Sequence, residues 1–232
     1  IFVVGTLAVY SLLVLPPRPM ARLVVERPDV VVVDFHSHTS SSHDGRRGFT
    51  LAENRAWHQA TGFDAAYVTD HVPLGTPAAV PPGNPVGAGG AVVLLPGTES
   101  VYRDQHLIGL GPRGVPGGAD SRPANASPPD TASPPAGVPT LIQTIPENLH
   151  RVPSTLAAPE SGLVAIEISD GAPRGIDQSA RERRLILTLA DSLDLAIVAG
   201  SNNHGWARTA IAWNLLRIPG WRGQPPAVLD SL

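Results

Sequence analysis

The chain has 232 residues, no cysteine and a formal net charge of −3. That length suffices for one sizeable domain, the missing thiols exclude disulfides and thiolate chemistry, and the charge leaves no footprint for a nucleic-acid backbone. Every basic residue is an arginine, so Schiff-base lysines and lysine phosphate loops are excluded too.

Ile1 to Leu15 form a nearly unbroken apolar run, followed by Pro16, Pro17 and Pro19. Residues 1–19 are expected to be the remnant of a transmembrane helix or signal anchor, although about twenty apolar residues are needed for a span. That reading makes the membrane a partner and the protein membrane-anchored, with Arg18, Arg22 and Arg27 favouring a cytoplasmic C-terminal side. Val30 to Phe35 is a β-branched run suited to a strand buried on both faces. Thr50 caps an expected helix over 51–61, with Glu53 at the capping-box position and Gly62 as the stop. Further strands are expected over 65–69, 91–95, 106–110, 140–144, 163–168 and 195–199. Helices are expected over 176–193 and 208–216. Residues 111–139 are rich in Pro, Gly, Ala and Ser and read as a flexible insertion, and 219–232 read as a C-terminal tail. Alternating strands and helices predict parallel α/β architecture, as an open sheet or a barrel.

Chemistry-bearing residues gather where these strands end. Asp34-Phe35-His36-Ser37-His38 closes the first strand, and histidines at i and i+2 on extended backbone point the same way. The next turn supplies Asp44, with His43 as its alternative. Thr69-Asp70-His71 closes the second strand and Gly97-Thr98-Glu99 the third. His106 opens the fourth, and Gly200-Ser201-Asn202-Asn203-His204 follows the last. Acids and imidazoles delivered by five elements to their edges predict a metal site at the open end of the fold.

The ordered set HSHT…HDG, TDH, GTES with a later histidine, and GSNNH resembles the PHP (polymerase and histidinol phosphatase) superfamily over residues 30–218. The resemblance implies a distorted (β/α)7 barrel, a TIM-like fold, in a metallohydrolase domain spanning 29–218. It also implies two or three divalent ions of Zn, Mn or Fe and hydrolysis of a small phosphorylated substrate. By position, His36 and His38 would bind a first metal, and Glu99 would bridge it to a second. Asp44, His71 and His204 would hold a third, and His106 matches a histidine that follows the bridging glutamate. Glu99, His36, His38 and His204 would form the catalytic set. Two departures stand out. Asn202 replaces the usual aspartate ligand, contributing an amide oxygen without charge. The usual His-Pro pair is replaced by Ile145-Pro146, with His150 nearby. These changes favour a binuclear centre.

Such a centre would activate a shared water for in-line attack on phosphorus. Arg46 and Arg208 are candidate substrate clamps. Asp34 and Asp70 are expected to orient imidazoles or cap strand ends, and Glu167 is a further acid near the site. His58 is expected to be structural, Arg181, Arg183 and Arg184 to be solvated, and Trp206, Trp213 and Trp221 to pack the core or the closing helix. Two rival readings are an amidohydrolase-like C–N or C–O hydrolase and a degenerate, non-catalytic metal-binding or sensory domain. A convergent arginine pair beside the metals would favour phosphate over an amide or ester.

Overall fold

The computed structural model describes residues 2–14, 20–85, 90–102, 105–116, 138–146, 162–222 and 224. Within them, Val30–Ser37 (β1), Ala65–Val68 (β2), Val93–Tyr102 (β3), Gln105–Leu110 (β4), Thr140–Gln143 (β5), Leu163–Ser169 (β6), Ala196–Ala199 (β7) and Asn214–Arg217 (β8) build one sheet. Its order is β7-β6-β5-β4-β3-β2-β1-β8. Helices are Phe2–Val14 (α1), Leu51–Thr61 (α2), Pro173–Ile176 (α3) and Ala180–Ser192 (α4).

Local chemistry accounts for the main helices. Thr50 and Ser179 each accept the N–H of the residue three on, while Glu53 and Glu182 return the bond to the cap backbone. Such a reciprocal cap stabilises a helix start by about 1 kcal/mol. Gly62 ends α2 in the left-handed region, at φ 88°. Ile186 and Ala190 are the buried face of α4 and pack with Ile145 and Ile166, while Arg181, Arg183 and Arg184 are exposed.

The sheet curls until its ends meet, forming a distorted, nearly closed barrel. Beyond β7 the chain runs beside the end of β1: Asn202 N–H donates to His36 O at 2.8 Å, and His38 N–H to Asn203 O at 3.1 Å. Asn214 on β8 splices the remaining gap. Its Oδ1 accepts Ala199 N–H at 2.9 Å, and its Nδ2 donates to Ala199 O at 2.7 Å and Val33 O at 2.9 Å. The core contains Val31, Val33, Tyr67, Val93, Leu95, Ile108, Ile142 and Trp221. Each fully buried apolar side chain contributes about 1.5–3 kcal/mol through burial.

Several expectations need correcting. The strands are not all parallel: β4 is antiparallel to β3 and β5, and β8 is antiparallel to β1. Only two residues separate β3 from β4, whereas a parallel return needs a crossover of about a dozen. The helix expected over 208–216 is absent, and its second half is β8. The ladder of Val30 to Val33 would otherwise be a bare edge, and pairing along Asn214–Arg217 satisfies it. The expected membrane anchor is overturned as well. α1 has 13 residues, a rise of about 20 Å against the ~30 Å of a hydrocarbon core, and no helix among the described residues is long and apolar enough to cross a membrane. Residues 15–19 of that segment lie outside the described residues, as do 117–137 of the expected insertion, His150, and 223 and 225–232 of the expected tail. The flanks of these stretches pack firmly: Val115 is buried, and Trp221 donates from Nε1 to Val30 O at 3.1 Å.

Candidate metal centre

The mouth of the barrel gathers His36 and His38 from the end of β1, Glu99 from β3 and His106 from β4. His71 joins them from just beyond β2, Asp44 from the loop after β1, and His204 from the loop after β7. Glu99 is locked by neighbouring backbone. Its N–H donates to Asp70 O at 3.2 Å, and its carbonyl accepts Val72 N–H at 2.9 Å. The register of β1 against β2 shifts between Asp34 and Ser37. Across that shift the partners change from His58 of α2, bonded to Asp34, to Glu99 and Glu167, which face His36. Gly200 is dictated by this crowding, because a Cβ there would overlap Glu167 Oε1 and the His36 side chain.

At the first cluster, His36 Nε2 lies 3.0 Å from His38 Nε2 and 3.0 Å from Glu99 Oε2. His38 Nε2 is 3.2 Å from the same carboxylate oxygen. The outer nitrogens are engaged elsewhere. His36 Nδ1 donates to Glu167 at 3.1 Å, and His38 Nδ1 lies 3.0 Å from Ser42 Oγ, which also accepts His71 N–H at 2.8 Å. With Nδ1 carrying the proton, each inner Nε2 presents a lone pair, and two lone pairs converge beside an anionic oxygen. That set has donors for a cation and no hydrogen for itself.

A second cluster shares its members. His204 Nε2 lies 3.1 Å and His71 Nε2 3.5 Å from Asp44 Oδ2. His204 Nδ1 donates to Asn202 O at 3.0 Å, which leaves Nε2 buried without a hydrogen bond. The His38 and His204 rings stack with centroids 3.9 Å apart, so His38, His71 and His204 bring their nitrogens to one place. A third cluster joins His71 and Glu99 to His106, whose Nδ1 lies 2.7 Å from Glu99 Oε1. Glu99 is therefore common to two clusters and touches both.

The electrostatics call for positive charge. Burial works against a charged His36, yet Glu167 and Glu99 hold its pKa well above the ordinary value. Burial pushes His38 down to about 3, against the pull of Glu99, so its ring is neutral. His71 is lowered, chiefly by burial. Burial opposes ionisation of Glu99, but His36, His106 and His38 keep it well below the carboxylate range. Glu167 is pushed up to about 7 by burial, with Asp170 and Glu99 adding to the push and His36 opposing it. A neutral His38 and an ionised Glu99 are in the protonation states that a divalent cation requires of its ligands, and on His36 a bound cation would take the place of the proton that Glu99 and Glu167 favour.

All eight candidate ligands and both candidate clamps can be placed. His36, His38, Glu99, His71, His106, Asp44 and His204 converge. Asn202 lies at the rim in a left-handed conformation, φ 44°. Its Nδ2 donates to Asp170 Oδ2 at 3.2 Å and its Oδ1 is buried without a partner. His43 is exposed and meets His71 only ring to ring, at 5.1 Å. Ile145, where a histidine was expected, is buried among isoleucines. Arg46 and Arg208 line one pocket beside His204. Asp34 and Asp70 do not orient the clustered imidazoles. Asp34 takes His58 Nε2 at 2.8 Å and Ser201 N–H at 2.9 Å, and Asp70 takes the backbone and hydroxyl of Thr39 at 2.6 and 2.7 Å. Ser42, Glu167 and the Asn202 carbonyl do the orienting. Ser42 was missed, and its place in a serine run gave no signal. Trp206 packs neither the core nor a closing helix: it is 70% exposed, and residues 214–217 form a strand.

No protein-family model matches the chain, and no curated protein matches it. Among solved structures, PsfC from Pseudomonas syringae is similar with a TM-score of 0.52 and 16% identity, covering 88% of each chain. A protein from Bifidobacterium adolescentis, provisionally named a metal-dependent phosphoesterase, is similar at TM-score 0.46 and 16% identity, over 86% of this chain and 95% of that one. The fold, a mixed α/β sheet nearly closed into a distorted barrel, is shared with PsfC. At this identity the likeness speaks for the fold, and the chemistry rests on the side chains.

Proposed function

We propose that this protein is a metal-dependent phosphoesterase with at least two divalent cations at the barrel mouth. The observation that carries it is the position of Glu99, whose Oε2 lies 3.0 Å from His36 and whose Oε1 lies 2.7 Å from His106. One carboxylate between two sets of imidazoles is the arrangement of a shared ligand. His36, His38, Glu99 and Asn202 would hold one ion, Glu99, His71 and His106 a second, and Asp44, His71 and His204 are the donors for a third. The nitrogen and oxygen donor set accepts Zn²⁺, Mn²⁺ or Fe²⁺. When bound, the ions supply Lewis acidity for attack of water on a phosphate ester.

The protein's own part is to fix the donors beforehand. Glu167 holds His36 in one tautomer and orientation, Ser42 does so for His38, and the Asn202 carbonyl for His204. Arg46 and Arg208 add positive charge beside the centre, which favours an anionic ester over the neutral amide or ester of an amidohydrolase.

The test is metal content by inductively coupled plasma mass spectrometry, together with phosphate release from a panel of monoesters, for the parent and Glu99→Gln. Two or more equivalents per chain and turnover in the parent, both reduced in the variant, support the reading. One equivalent or none after reconstitution, with no phosphate released, would sink it.

A further inference from the structure

Beside the centre, and sharing none of its ligand residues, lies a pocket of about 550 Å³. Arg46, Phe49, Trp57, Trp206 and Arg208 are among its walls. It is tied to the centre through backbone, because Arg46 N–H donates to His204 O at 2.8 Å and Gly205 follows directly. Three features there are only partly used by the fold. Arg46 Nε is buried with no hydrogen-bond partner, although the guanidinium lies 5.5 Å from the Phe49 ring centroid, and a buried charged group with an unmade hydrogen bond is costly. Arg208 is exposed, and neither arginine pairs with a carboxylate among the described residues. Glu53, the acid in the wall, already accepts Thr50 N–H at 2.9 Å in the α2 cap. Trp206 is 70% exposed, although nothing in the fold needs an indole in solvent.

An anion would satisfy the guanidinium groups, and a flat ring would cover the indole face. We propose that this pocket is the leaving-group subsite. It takes the alcohol portion of a phosphate ester that is aromatic and carries an anionic group of its own. The ring lies against Trp206 and the anion between Arg46 and Arg208, while the scissile phosphoryl group lies at the metal centre. The assignment rests on the phosphoesterase reading, since a leaving group requires an ester to be cleaved.

The test pairs binding with turnover on the full chain as purified. Calorimetry with para-hydroxybenzoate, which has no phosphate, should show binding that weakens about tenfold in Trp206→Ala and in Arg208→Ala, as expected for losing one stacking or charge-assisted contact. Para-carboxyphenyl phosphate should be hydrolysed with a higher kcat/KM than phenyl phosphate, and Arg208→Ala should abolish that preference mainly through KM. Both side chains are exposed, so unchanged thermal melting is expected of the variants. Equal use of the two esters, with no effect of either variant on binding, overturns the subsite and leaves the phosphoesterase standing. Binding without phosphate release from any ester overturns the phosphoesterase reading, and the leaving-group role falls with it.

Discussion

Asn202 donates its amide hydrogen to Asp170 Oδ2 at 3.2 Å, so the amide oxygen is turned away from that carboxylate and is left buried without a partner. Asp170 is itself buried and its Oδ1 accepts Ala172 N–H at 2.9 Å. An acid at 202 would therefore face an acid already in place. Asn202→Asp is expected to lower the melting temperature of the metal-free protein, because two buried like charges in contact are costly. Adding Asp170→Asn should restore it. Differential scanning fluorimetry after chelation checks this, and a double variant no more stable than the single one would refute the pairing.

Glu167 never reaches the inner nitrogens of the clusters, yet it fixes His36 through Nδ1 at 3.1 Å. Replacement of such an outer partner weakens metal binding by about 10–100-fold. Glu167→Gln should show a loss of that size in competition with a metallochromic chelator, while keeping the parent's metal stoichiometry at saturation. An affinity equal to the parent's would remove Glu167 from the centre.

Asp44 and His43 are adjacent in sequence, but only Asp44 faces the clustered imidazoles, 3.1 Å from His204 and 3.5 Å from His71. Burial opposes its ionisation, and His204 and His71 hold its pKa below the ordinary value. Asp44→Asn should reduce the metal bound per chain, and His43→Ala should not. Mass-spectrometric metal analysis of the two variants decides the matter, and the reverse pattern would make His43 the ligand.

The buried Asp34–His58 pair predicts acid sensitivity. Burial raises the Asp34 pKa, but His58 and Ser201 outweigh it, and the folded value lies below the ordinary carboxylate value of 3.8. A depressed carboxyl stabilises fully above its unfolded value and loses that contribution as pH falls through the folded one. Urea midpoints should accordingly drop below about pH 4, and less steeply in Asp34→Asn. That variant should also lose about 3–5 kcal/mol near neutrality, by stranding one member of a buried pair. Parallel pH profiles for the two proteins would refute the role of Asp34.

Some of this was determined by sequence alone, because local physics sets it. The β-branched run Val30 to Val33 can only be a buried strand, Thr50 with Glu53 and Gly62 bounds a helix, and strand-end motifs present His36, His38, His71 and Glu99 at edges. Their order along the chain resembled a known motif set, and the barrel followed. Tertiary structure decided whatever depends on partners distant in sequence. Residues 214–217 are compatible with a helix, and only the open ladder of β1 makes them a strand. The choice of Glu167, Ser42 and the Asn202 carbonyl to hold the imidazoles turned on which polar atom lies within 3.2 Å of each Nδ1 after folding. Nor could Arg46 and Arg208, 162 positions apart, be known to share a pocket with an exposed Trp206 until the barrel closed and brought the loops after β1 and β7 together. Spacing fixes which side chains share a strand face, whereas closure of the sheet fixes which faces meet.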